Sequence, residues 1–232
     1  MQRPPRIDAS FFSGLGRTVN FYIVRHGESV ANAQNRVQGR SDFPLNDRGR
    51  DQARQAGAWF RGRPVARTLC SPLSRAAETA DILCSEAGLP APRREPLLVE
   101  LDTGKFSGLT LDEARERHPE DWARFAHMSW EGVSDAERSH QLADRARAAW
   151  AALRREAAES GGDVLALSHG GTIQWLVRVT FGCESWMPLL STGNCGIFQL
   201  AVEPRGELPA FMQWKELNLL PGDPALRAQP VF

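Results

Sequence analysis

The chain has 232 residues, 42% of them hydrophobic, and its 28 basic residues balance its 28 acidic ones. That length and apolar content suit one compact domain with a substantial core. The absence of net charge excludes an overall electrostatic pull toward nucleic acid or anionic membranes, so any charge-based function is local. No apolar run approaches the ~18 residues of a membrane helix, and the four cysteines, Cys70, Cys84, Cys183 and Cys195, form no CxxC pair. Both features suit a reduced, cytoplasmic protein.

Residues 1–18 lack the apolar core of a signal peptide and are expected as a flexible tail, with one domain from 19 to 232. Short apolar runs then alternate with helical stretches, the pattern of a sheet covered on both faces by helices. Residues 18–24 read as the first strand. Asn46 reads as the N-cap of a helix running to Phe60, with Ala53, Ala56, Trp59 and Phe60 at helical spacing. Residues 65–71 form a second strand, Pro72 opens a helix, and Gly88 closes it. A short strand is expected at 97–99.

Thr110 begins the capping box "TLDE", and Pro119 interrupts the short helix that follows. Residues 135–159 read as one long amphipathic helix, on which Arg145, Arg147, Arg154 and Arg155 are expected on solvated faces. "DVLALS" (163–168) is a strongly apolar strand followed by a helix, and β-rich runs at 196–202 and 210–217 complete the sheet. His118, His127 and His140 read as surface residues, and no metal-ligand motif is present.

Three strand ends carry unusual side chains: Arg25 and His26, then Ser71 and Arg75, then Ser168 and His169. Ligands of open α/β sheets bind at the carboxyl ends of the strands. Two histidines and two arginines on one edge would repel each other in a dry cleft unless they bind an anion, and phosphate fits best.

The residues that carry this pattern lie in five motifs. In chain order they are "IVRHGESVAN" (23–32), "QGRSDFPLNDRGRDQA" (38–53), "SPLSRAAETA" (71–80), "LVELDTGKFSG" (98–108) and "LSHGG" (167–171). Together they resemble the histidine phosphatase superfamily, in its phosphoglycerate-mutase-like branch 1. The resemblance implies a three-layer α/β/α fold with a mostly parallel central sheet. It implies His26 as a nucleophile that becomes phosphohistidine, with Arg25, Arg75 and His169 around the transferring phosphoryl group. It also implies Glu100 as the acid and base, Asn32 as a phosphate contact, and Gln38, Gly39 and Gly170 as further lining. No metal or other cofactor is required by that chemistry. Glu28 reads as a structural partner of a helix start.

The proline-rich insertion and paired arginines of the mutases do not follow Gly108. A phosphomonoester phosphatase is therefore expected, with a small-molecule substrate, and with neither nucleic acid nor membrane as partner. Cofactor-dependent phosphoglycerate mutase is the alternative, and a non-catalytic interaction protein on the same fold is an alternative of another class. A homodimer is one option for an open oligomeric state. Residues 109–140 are expected to form a lid, where Trp122, Phe125 and Trp130 either stack on a leaving group or pack the lid onto the domain.

Overall fold

The computed structural model describes residues 4–186 and 189–222. The first three residues of the expected tail, Met187, Pro188 and the last ten residues of the expected domain lie outside that range.

Six strands form one sheet: β1 (Val19–Arg25), β2 (Val65–Cys70), β3 (Arg93–Arg94), β4 (Asp163–Ser168), β5 (Ile197–Arg205) and β6 (Leu208–Leu219), in the order β3-β2-β4-β1-β5-β6. β3, β2, β4 and β1 run parallel, whereas β5 and β6 add antiparallel edges. Because side chains alternate across a strand, β1 serves two cores at once. Val19, Phe21 and Ile23 point into the cluster that holds α6 (Ser139–Ser160) and α7 (Gly170–Thr180). Tyr22 and Val24 point to the other face, against α2 (Asp47–Phe60) and α3 (Ser74–Ala87). From Phe21 to Val24 the strand is buried on both faces, and Arg25 and His26 stand where it ends.

Local signals place several boundaries where the sequence suggests. Asn46 caps α2 by accepting from the Gly49 amide, and Gly88 ends α3 in the left-handed conformation. Thr110 and Glu113 form the reciprocal capping box of α4 (Leu111–Arg117), and Pro119 opens the next helix, α5 (Pro119–Met128), from its first turn.

Other expectations are corrected. The strand expected at 97–99 is a 3-10 turn at Pro96–Leu98, capped by the Glu95 side chain accepting from the Leu97 amide. Pro96 has no N–H for a ladder, and the sheet pairing falls to Arg93 and Arg94 instead. The helix expected from 135 starts at Ser139. Before it, Asp135 adopts positive φ, Ala136 bridges to Thr103, and the Glu137 amide donates to the Asp102 carbonyl.

The N-terminal segment is not a free tail over its described length. Ile7, Phe12 and Leu15 are buried, and Phe12 meets Trp150 edge-on at 5.8 Å. Arg145 and Arg147 are also largely buried rather than solvated, with Arg147 paired to Asp144 and Glu184. Arg155 is exposed as expected. Among the described residues, no helix is long and apolar enough to cross a membrane.

Candidate active site

Parallel register brings three strand ends to one rim. Arg25 of β1 stands opposite Ser168 of β4, and Cys70 of β2 opposite Leu167. The chain leaves each strand still bonded to its neighbour: the His26 amide donates to the Ser168 carbonyl and the Ser71 amide to the Leu167 carbonyl. His26, Ser71 and His169 consequently meet although they lie far apart in sequence, and the His26 and His169 ring centroids are 5.1 Å apart.

His26 is buried, and its Nδ1 lies 2.7 Å from the Gly27 carbonyl. A carbonyl only accepts, so Nδ1 carries the proton and Nε2 keeps its lone pair. The Gly27 loop is itself held by its amide donating to Thr79 Oγ1 and by Asn194 Nδ2 donating to the His26 carbonyl.

His169 Nε2 lies 2.7 Å from Ser71 Oγ, while Nδ1 is buried without a partner. Ser71 Oγ already accepts from the Leu73 amide, which favours its hydroxyl donating to Nε2 and puts the imidazole proton on Nδ1. The orphaned atom is thus a donor.

Two guanidinium groups complete the floor. Arg25 donates from Nη1 to the Thr192 carbonyl, and Arg75, fully buried, donates to the carbonyls of Gly39 at 2.8 Å and Ser41 at 2.9 Å. Gly39 reaches this position with φ +52, where an added Cβ would lie 2.2 Å from Thr103 Oγ1. The Nε of each arginine has no partner. Among the described residues, no carboxylate comes within 4.0 Å of Arg25, and Asp42 only reaches that distance from Arg75. Buried charge of one sign with unused donors is a site built for an anion.

Burial, and then the fields of Arg75 and Arg25, hold His26 well below the ordinary histidine value; burial does the same to His169 with Arg75, His26 and Arg25 adding to it. Arg75 is lowered to about 10, chiefly by burial, with Glu100 pulling the other way. Both imidazoles are therefore neutral at neutral pH.

Glu100 sits over the first turn of α7. Its Oε1 accepts from the amides of Leu101 at 2.8 Å and Thr172 at 2.9 Å, whereas Oε2 has a single longer contact, 3.2 Å, from Gly171. Glycine is needed at 171 because an added Cβ would lie 2.1 Å from Leu101 Cδ2 and 2.8 Å from Glu100 Oε1. The amide oxygens of Asn32 and Gln38 are turned inward, toward Ser29 and Asn194 and toward Ser29 respectively. Their NH2 ends are left for a ligand.

A cavity of about 520 Å³ opens above these groups, walled by Arg25, His26, Asn32, Gln38, Gly39, Arg75 and Glu100. His169 and Gly170 do not line it but adjoin residues that do: the His169 ring lies beside that of His26, and a Cβ on Gly170 would be 3.6 Å from Arg25 Nε. Glu28 reaches the wall as well, but its carboxylate accepts from Asn46 Nδ2 and pairs with Arg48, tying the cavity rim to α2. Of the three lid aromatics, Trp122 and Phe125 pack around Phe106, and only Trp130 lines the cavity. Among the described residues, no three His, Cys, Asp or Glu side chains cluster in a way that could hold a metal ion.

Sequence reasoning passed over several supporting residues. Thr79 lies four residues after Arg75 on α3 and accepts from Gly27, a placement that helical periodicity could have signalled. Thr172, Thr192 and Asn194 have no such local signal.

The profile of the histidine phosphatase superfamily (branch 1) matches residues 21–215. The chain belongs to that superfamily. Among its relatives, the "Probable phosphoglycerate mutase GpmB" of Citrobacter koseri is 34% identical over 179 residues, covering 76% of this chain and 81% of the relative. A mycobacterial glucosyl-3-phosphoglycerate phosphatase, solved in complex with VO3, superposes with a TM-score of 0.74 at 26% identity, covering 88% of this chain and 99% of that one. A phosphoglycerate mutase from Bacillus anthracis shares the fold with a TM-score of 0.72 at 23% identity, over 87% of this chain and 93% of its own. Superfamily membership makes the protein a phosphoryl-transfer enzyme, and its relatives carry the names of both phosphatases and mutases.

Proposed function

We propose that the protein is a phosphomonoester phosphatase acting through a phosphohistidine on His26. The observation that carries this reading is the set of three buried donors without partners, Arg25 Nε, Arg75 Nε and His169 Nδ1, around a histidine whose Nδ1 is already committed. In the first half-reaction the Nε2 lone pair attacks phosphorus, an N–P bond forms, and the P–O bond to the leaving group breaks. Oε2 of Glu100, the less engaged carboxyl oxygen, carries the proton that passes to the departing alkoxide. In the second half-reaction water attacks phosphorus and gives its proton to the Glu100 carboxylate. The N–P bond breaks with its electrons returning to Nε2, and inorganic phosphate leaves. Arg25, Arg75 and His169 neutralise the equatorial oxygens throughout.

Beyond the phosphate floor the cavity is walled by Val37, Leu111, Trp130, Trp186 and Leu189. Those walls support an organic leaving group with apolar surface, covered by the segment 109–140. Hydrolysis of p-nitrophenyl phosphate by purified protein in EDTA, abolished by His26→Ala, is the expected result. Equal inactivity of both proteins on a broad panel of phosphomonoesters would discard the enzyme reading in favour of a non-catalytic role. The names of the relatives support the mutase as a second reading. Rapid interconversion of 3- and 2-phosphoglycerate in the presence of 2,3-bisphosphoglycerate would establish it.

A further inference from the structure

Glu100 has no strand to hold it. The chain from 97 to 102 passes through the end of a 3-10 turn and then irregular backbone, so, beyond the amides that its carboxylate accepts from, the position of the acid relative to His26 depends on the side chains that hold this segment. The Ser168 and Thr172 hydroxyls donate to the Leu98 and Val99 carbonyls, and one ion pair shares the task with them. Arg145 Nε and Nη2 donate to Glu137 Oε1 at 2.8 Å and Oε2 at 2.9 Å, a two-pronged contact between side chains only 13% and 10% exposed. The remaining prong, Nη1, donates to the carbonyls of Leu97 at 3.1 Å and Val99 at 2.7 Å, and reaches Thr172 Oγ1 at 3.4 Å. Glu137 grips the other side of the acid: its Oε2 accepts from the Asp102 amide at 3.3 Å, and its own amide donates to the Asp102 carbonyl. Arg40, from the loop whose carbonyls hold Arg75, adds contacts to Glu137 Oε2 at 3.3 Å and to the Glu100 carbonyl at 3.4 Å.

We infer that Glu137 and Arg145 are positioning residues for proton transfer: together they clamp both flanks of Glu100 and fix its carboxyl over the leaving-group oxygen. This rests on the acid role proposed for Glu100. A pair that served only the helix would lie one turn apart on its surface. This one joins residues eight apart, one of them before the helix, and its remaining guanidinium nitrogen, Nη1, goes to the carbonyls of the acid's own segment. General-acid catalysis is sensitive to small displacements of the donor.

The experiment compares two substrates of similar size that differ in their need for a proton. p-Nitrophenolate departs unprotonated, whereas the benzyl alkoxide from benzyl phosphate requires an acid. Glu100→Gln is expected to lower kcat/KM for benzyl phosphate about 100-fold and for p-nitrophenyl phosphate far less. Glu137→Gln and Arg145→Lys are expected to reproduce that selectivity, with about a tenfold loss on benzyl phosphate and less than about a twofold change on p-nitrophenyl phosphate. In the Glu100→Gln background, Glu137→Gln is expected to add no further selective loss.

A merely structural role would lower both substrates together, and that outcome overturns the inference. So does a selective loss that persists without Glu100. If Glu100→Gln itself shows no selectivity, the acid assignment fails and the inference with it; a selective Glu100→Gln beside unselective clamp variants sinks the inference alone. Melting temperature and circular dichroism check folding. Should Arg145→Lys not fold, the near-isosteric Glu137→Gln carries the test.

Discussion

His169 Nε2 and the Ser71 hydroxyl lie 2.7 Å apart, a hydrogen bond between residues separated by 98 positions that occupies one imidazole nitrogen and leaves Nδ1 without a partner. Ser71 follows one strand and His169 another, so the contact exists only because β2 and β4 are neighbours in register. Removing the hydroxyl frees the tautomer without touching the phosphate floor. Ser71→Ala is expected to lower kcat/KM about tenfold, the value of one well-placed hydrogen bond in the transition state, and to cost about 1 kcal/mol of stability. Steady-state kinetics and thermal melts of the variant check both. An unchanged kcat/KM would remove Ser71 from the machinery.

The depressed histidines predict a pH signature in stability. Folded His26 and His169 stay neutral well below the ordinary histidine value, whereas in the unfolded chain both protonate as pH falls through about 6.5. The unfolded state then binds more protons, and stability falls with falling pH. Their contribution is complete above pH 6.5 and is lost below it, at about 1 kcal/mol per pH unit for each histidine. Denaturant melts of the wild type and the double variant His26→Gln, His169→Gln from pH 7.5 to 5.5 test this: the wild type should show the steeper loss.

Arg75 should govern anion affinity. Inorganic phosphate at about 100 times its dissociation constant stabilises the folded state by about 2.7 kcal/mol, and Arg75→Gln is expected to abolish that gain in a thermal-shift titration. The same variant should lose about 100-fold or more in kcat/KM, as for removal of a donor to a developing oxyanion. Full phosphate stabilisation of the variant would place the anion elsewhere.

At Gly171 the prediction is steric. A Cβ there would press on Leu101 Cδ2 and on the Glu100 carboxylate, and displacement of Glu100 is the expected response. Gly171→Ala should reduce kcat for benzyl phosphate at least about tenfold while leaving phosphate binding intact. Equal kcat for variant and wild type would show that Leu101 yields and the acid stays.

Trp186 was invisible as a site residue in the sequence, yet it lines the cavity with its Nε1 buried and unpartnered. Trp186→Ala is expected to raise KM for aryl phosphates several-fold and leave that for ethyl phosphate nearly unchanged. Parallel increases for both substrates would mean that it only supports the fold.

The buried cationic cluster was legible because its residues mark local anomalies: Arg25 ends a strand buried on both faces with His26 just after it, and His169 follows a strand buried along its whole length. Helix boundaries at Asn46, Gly88 and Thr110 were legible for a related reason, since a cap is a contact within three or four residues. The segment around Glu100 was not. Pro96 turned an expected strand into a 3-10 turn, and Arg145, which periodicity placed on a solvated face, is drawn inward by Glu137 and two backbone carbonyls.

From the sequence alone came the strand ends at which Arg25, His26, Ser168 and His169 stand and the caps of several helices, because burial patterns and capping are set by neighbours along the chain. Tertiary structure decided which nitrogen of each histidine is free, which donors lack partners, and what holds Glu100 in place. Those properties are distances between residues brought together by strand register and helix packing, and local patterning carries no record of them.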